Sequence, residues 1–255
     1  MLATPTGTAP TTRNLIVDYY DAIPIAAARC GAGPGGPAGA RDFSPGFELP
    51  ALTEDVRRFF AAATATWRGL GEYGGHGLHL MDLTGNPGTH TTKTFASMLI
   101  VARAVEHIRR TGEAICIFTP TSGNKGIALR DAVGRAIEAG LVAPRELSVV
   151  VLAPVSTRHK FRRDALAADP HLRALNPLLR FTGADAEGVK PLGRAFVDGY
   201  ATQLFDKHGV NLWFSLELRN YLVADAARAA FEADASPTSS APPRWHAHSV
   251  SSGYG

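Results

Sequence analysis

Cysteine is nearly absent from this 255-residue chain, which has only Cys30 and Cys116. Two thiols cannot build a disulfide framework or, by themselves, a zinc site. Cys116 lies in the apolar run Ile115-Cys116-Ile117-Phe118 and reads as a buried, inert thiol. No uninterrupted apolar stretch approaches the roughly 20 residues that a membrane-spanning helix needs, so no membrane association is expected. Charge of one sign is also scarce: the net charge is +3 and the basic residues are dispersed. No dense Lys/Arg run carries interleaved aromatics, so nucleic acid is not an indicated partner. Met1 to Pro10 lacks the basic and apolar regions of a secretory signal. These absences lead to the expectation of a soluble, cytoplasmic protein.

What is present is a large apolar fraction, 45%, enough for the core of one large or two small α/β domains. Residues 1–14 are rich in Thr, Pro and Gly and are expected to lack order. Residues 31–46 read as an irregular loop. Thr53 reads as an N-cap with Glu54 and Asp55 in the first turn, and a helix is expected to about Arg68. From residue 77 the pattern alternates. Strands are expected at Leu78–Leu83, Ala114–Phe118, Leu147–Leu152 and Leu178–Phe181. Helices are expected at Thr94–Arg110, Lys125–Ala139 and Lys190–His208. Strands that are continuous apolar runs between helices imply a parallel sheet covered on both faces. Residues 234–243 read as a linker, and Trp245–Val250 as one last strand.

Two segments combine a strand end, a turn and a helix start, where open α/β sheets bind ligands. The first is Asn86-Pro87-Gly88-Thr89-His90-Thr91-Thr92-Lys93-Thr94. Lys93 stands there at the opening of a helix, where a cation opposes the dipole. The plain alternative is a solvated loop lysine. A P-loop fails on spacing, because Thr92 stands where the motif requires Gly. The second is Thr119-Pro120-Thr121-Ser122-Gly123-Asn124-Lys125-Gly126. Its helix-opening N–H groups form a ready anion site, and Gly123 permits close approach. An ordinary turn capped by Ser122 or Asn124 is the alternative. Histidines at 76, 79, 246 and 248 lack acidic or thiol neighbours at ligand spacing, so no metal site is expected.

Together the two segments resemble the pyridoxal-phosphate (PLP) enzymes of the threonine synthase and cysteine synthase superfamily. The first is similar to their cofactor-lysine segment, and Thr121-Ser122-Gly123-Asn124 to their substrate and cofactor loop. Val155–Arg163, Arg180–Asp185 and Leu212–Phe231 resemble further segments in the same order. Ser249-Val250-Ser251-Ser252-Gly253-Tyr254-Gly255 resembles the loop that holds the cofactor phosphate. Thr92 and Phe95 depart from the residues usual around the lysine, and His90 is unusual.

The resemblance implies an α/β protein with two three-layer parallel-sheet domains of the tryptophan synthase beta-type fold. Residues 94–195 would form the smaller domain. Residues 16–93 and 196–255 would form a larger one, incomplete at its C-terminus, behind a disordered stretch over 1–15. It implies β- or γ-elimination or replacement on a small amino acid. Lys93 would carry PLP as a Schiff base, and Asn124 and Ser251, Ser252, Gly253, Tyr254 and Gly255 would hold the cofactor. Thr121, Ser122 and Gly123 would hold the substrate carboxylate. A homodimer or a completing polypeptide is the expected partner. A non-catalytic homologue that binds a partner or regulates one remains the alternative from another class.

Overall fold

The computed structural model describes residues 9–30, 42–161, 164–183, 188–235 and 245–247. Strand β1 (Thr11–Asn14) is followed by helices α1 (Ala22–Arg29) and α2 (Glu54–Phe59) and a 3-10 turn, Phe60–Ala62. Strands β2 (Thr64–Tyr73) and β3 (His76–Asp82) then complete a three-stranded antiparallel sheet in the order β1-β2-β3.

Three expectations are corrected here. Thr11–Asn14, read as disordered, pairs with Thr64–Trp67 of β2. Asn14 fixes this strand end: its amide donates to the Phe60 carbonyl at 2.7 Å, and its side-chain oxygen accepts from Val17 N–H at 2.9 Å. The helix begun at Thr53, whose hydroxyl does accept from Val56 N–H, ends well before Arg68. Beyond Ala63 the run Thr64-Ala65-Thr66-Trp67 carries β-branched and aromatic side chains, and it takes the strand that β1 can pair with. The strand expected at Leu78–Leu83 exists as β3, but it is antiparallel to β2. Only Gly74-Gly75 joins the two, with φ of +60° and +81°, the hairpin turn that glycine permits. A parallel partner would need a long crossover.

The second half matches the α/β reading. Helix α3 (Thr94–Thr111) leads to β4 (Ala114–Pro120), α4 (Asn124–Glu138) and β5 (Leu147–Pro154). Two short helices, α5 (Ala165–Ala168) and α6 (Pro170–Leu175), precede β6 (Leu178–Phe181). Then come α7 (Val189–His208), β7 (Val210–Phe214) and α8 (Leu218–Ala235). The four strands form one parallel sheet in the order β6-β5-β4-β7. β7, from the stretch read as part of the larger unit, thus pairs with β4 from the smaller one. Trp245–Ala247 has no regular structure, and the rest of the strand expected there lies outside the described residues.

Alternation along the strands sends side chains to both faces. Ile115, Ile117, Val149, Val151 and Trp213 join a core with α3, α4 and α8 that also takes in Leu15, Phe59 and Phe60. Phe118, Leu152 and Leu212 face a smaller core with Val189, Val197 and Ala201 of α7. The sheet is therefore the middle of three layers, and both faces must be apolar. Among the described residues no helix is long and apolar enough to cross a membrane.

Candidate active site

In chain order β4 is the first strand of the parallel sheet and β7 the last, and they are neighbours. β5 and β6 build outward on one side of β4, and β7 returns to the other side. The turns that follow β4 and β7 therefore lie side by side at the carboxyl end of the sheet, and the crevice between them is where open α/β sheets place ligands.

The β4 side of the crevice is the turn 121–123. Thr121 is buried, and its hydroxyl accepts from Gly123 N–H at 3.0 Å and Gly126 N–H at 3.3 Å. One side chain thus closes the turn and satisfies an N–H of the first turn of α4. Gly123 has φ +125°, which disfavours any side chain. A Cβ on Gly126 would stand 2.8 Å from both Thr121 Cγ2 and Val151 Cγ1, so glycine lets α4 lie this close to the sheet. Ser122 and Asn124 are exposed. The β7 side is Ser215. Its N–H reaches the Phe118 carbonyl at 3.4 Å, continuing the β4–β7 pairing past the strand end. The hydroxyls of Thr119 and Ser215 are wholly buried and have no hydrogen-bond partner among the described residues. Buried hydroxyls without a protein partner are uncommon in native cores.

Lys93 comes to this crevice from the antiparallel half. Buried Asn86 shapes its loop, accepting from Gly88 N–H at 3.0 Å and donating to Asp131 at 2.9 Å and to the Thr94 hydroxyl at 3.3 Å. Thr91 takes the Lys93 N–H at 3.3 Å, and Lys93 becomes the residue before α3. His90 adopts φ +47°, so the loop includes one left-handed non-glycine residue. The Lys93 amine lies 5.1 Å from the centre of the Tyr221 ring, on α8. Burial lowers its pKa below the usual lysine range; Asp225 opposes this and Arg228 adds to it.

Lys125 meets the same ring from the other segment, 5.7 Å from its centre. It is 7% exposed, and its ammonium donates to the Ser215 carbonyl across the crevice. Burial pushes its pKa down to about 7; the Glu217 carboxylate resists this and the Lys93 charge reinforces it. Lys93, and Lys125 next to the 121–124 turn read from sequence as part of the same site, thus meet at the Tyr221 ring. Lys125, Tyr221, Thr119 and Ser215 were not assigned there. For Lys125 a signal existed: it stands in register with Ala128, Leu129, Ala132, Val133 and Ala136, the buried stripe of α4. Ser251, Ser252, Gly253, Tyr254 and Gly255, read as the phosphate loop, lie outside the described residues. Among the described residues no three His, Cys, Asp or Glu side chains are grouped to hold a metal. His79 instead stacks on Trp67, with ring centres 5.4 Å apart.

A model for a family of unknown function (DUF6002) matches residues 11–255. No curated protein matches the chain. Among solved structures, PLP-bound threonine synthase from Brucella melitensis is similar at 16% identity and a TM-score of 0.41. The match covers 60% of this chain and 31% of that one.

Proposed function

The chain belongs to this DUF6002 family, and we propose that its β4–β7 crevice binds PLP through Lys93 and serves a β- or γ-elimination or replacement on a small amino acid. The observation that carries this reading is the half-buried Lys93 amine, 5.1 Å from the Tyr221 ring centre beside the turns that follow β4 and β7, its pKa lowered by burial. A lysine that joins an aldehyde must spend time as the neutral amine, and partial burial favours that form. The residues fit the group. The Thr119 and Ser215 hydroxyls, which have no partner among the described residues, would be hydrogen-bond donors to a polar ring, and Tyr221 already holds the Lys93 amine beside its ring. When bound, PLP supplies the electron sink.

The chain's own residues would do the rest. Thr121 positions the turn by accepting two N–H groups, and its own O–H is left as a donor for the substrate carboxylate. Exposed Ser122 and Asn124 are left to meet the substrate carboxylate and the cofactor at the start of α4. Lys93 would hold the cofactor and, as a neutral amine, would serve as the base that takes a substrate proton.

The test is to add PLP to the full chain, record the visible absorbance, reduce with borohydride and map the modified peptide. The expected result is one adduct, at Lys93, that disappears in Lys93→Ala while the fold persists. No visible band, or an adduct mapped only to another lysine, refutes the assignment. The absence of any adduct would favour the non-catalytic, partner-binding reading.

A further inference from the structure

We propose that the outer edge of β3 docks a second copy of this chain, the two β3 strands pairing antiparallel about a two-fold axis at His79 to join both three-stranded sheets into one. This stands apart from the cofactor assignment and does not require it.

The hairpin of β2 and β3 comes first. Residues 72–80, which span its turn and most of β3, are all exposed. A two-stranded ribbon on its own is marginally stable at best in water. One face leans on the main core through Trp67 and Met81, which stand opposite each other, and His79 stacks on Trp67. The other face carries Tyr73, Leu78 and Leu80, which are 72%, 41% and 43% exposed. Gly71 is the residue opposite Leu78, so no side chain directly across covers that leucine. Apolar side chains grouped on one exposed face are the mark of an interaction surface.

The free edge comes second. β3 has β2 on one side and no strand on the other among the described residues. Soluble proteins guard such an edge with lysine, proline or a bulge. β3, His-Gly-Leu-His-Leu-Met-Asp, contains neither lysine nor proline, and the irregularity of the hairpin, at Leu70, lies in β2.

The occupant follows from the strand's own sequence. In a two-fold antiparallel pair, residues directly opposite share a face and each pair occurs twice. With the axis at His79, Leu78 stands opposite Leu80, Gly77 opposite Met81 and His76 opposite Asp82. All of β3 is then paired, the leucines of both copies meet on the exposed face, and a histidine faces a carboxylate at each end. The Thr84 hydroxyl and N–H hold the Asp82 carboxyl below its usual range, and Arg68 approaches it only at 3.8 Å. Moving the axis to Leu78 sets Leu80 against His76, and moving it to Leu80 sets Leu78 against Asp82. This match of β3 to itself selects a second copy over an unrelated strand.

The test is sedimentation velocity of the full chain from about 1 to about 100 µM, beside hydrogen exchange of the 76–82 amides over the same range. The parent should dimerise, and those amides should exchange more slowly as the dimer forms. Leu80→Lys and His76→Asp, which sets like charges opposite Asp82, should each raise the dissociation constant more than about tenfold. His76→Lys, which keeps an opposite charge there, should stay dimeric. Leu192→Lys, which removes another exposed leucine on α7, should also stay dimeric. Circular dichroism checks that each variant is folded; if Leu80→Lys is not, the contrast between His76→Asp and His76→Lys decides. A chain that is monomeric throughout overturns the proposal. So does a dimer that His76→Asp leaves intact, or one that Leu192→Lys dissociates as readily. Slow exchange of 76–82 in a monomer would show that another part of the same chain covers the edge, and would overturn it too.

Discussion

Replacing Arg103 by alanine should be among the most damaging single changes in the described fold, although Arg103 does not line the crevice. Arg103 lies in α3, is 2% exposed and is sandwiched between Phe47 and Trp213, 4.8 Å from each ring centre. Its guanidinium donates to Gly46 O at 2.9 Å, Pro45 O at 2.5 Å, Asn220 Oδ1 at 2.7 Å and Glu217 Oε2 at 2.7 Å. One cation thus ties the 44–47 segment, α3 and the start of α8 together. Removing one partner of a buried ion pair typically costs about 3–5 kcal/mol, because the other charge is left behind. Here Glu217 would be that charge, and its 26% exposure softens the penalty, while the stranded carbonyls and lost aromatic stacking add to the cost. Against a typical domain stability of about 5–15 kcal/mol, the variant would lose a large fraction of its margin. Lysine should rescue little, since it cannot present the planar fork. The assay is urea unfolding at neutral pH for Arg103→Ala, Glu217→Gln and the double variant. The double variant should be less damaged than the two single losses imply, with a coupling of about 1–3 kcal/mol. An Arg103→Ala chain within about 0.5 kcal/mol of the parent would refute the reasoning, because that is the range of surface substitutions.

The remaining expectations concern pH and close packing. Burial raises the Glu217 carboxyl, but Arg103, Ser44 and Trp213 outweigh it and hold it below its ordinary 4.5. Its stabilising contribution should be complete above that value and be lost as pH falls through the lower folded value; a parent and a Glu217→Gln chain whose acid unfolding profiles run parallel would contradict this. For Lys125, lowered to about 7 from 10.5, the unfolded chain binds more protons between those values, so stability should rise with pH across that window. Lys125→Met should remove that rise in denaturant midpoints; an equally steep variant would count against it. Asn176 is wholly buried, accepts from Val149 N–H at 2.8 Å and donates to Leu172 O at 2.9 Å, so Asn176→Leu should cost about 1–3 kcal/mol in urea unfolding. Gly126→Ala should also cost about 1–3 kcal/mol, since its Cβ would meet Thr121 and Val151 at 2.8 Å; an unchanged midpoint would show that the turn can give way.

The sequence by itself determined the local elements whose period and ends are unambiguous. α3, α4 and α7 and strands β4, β5 and β6 were legible because apolar runs and 3.6-residue stripes are set by which face must be buried. The same patterns marked Lys93 and the 121–124 turn, because strand end, glycine and helix start are neighbours in the chain. The fate of Thr64–Arg68 was not legible, since a short apolar stretch fits a helix face or a strand equally well until a partner such as β1 decides. The antiparallel pairing of β3 likewise depends on which strand lies beside it. The site's electrostatics were decided only by the tertiary structure. Lys125 is ordinary in the sequence; its pKa is lowered because the order β5-β4-β7 buries it against Ser215 and Tyr221 of the β7–α8 region, and Glu217 only partly opposes that burial. Desolvation and charge repulsion act through space, and the groups that exert them stand some 30 to 100 residues apart in the chain.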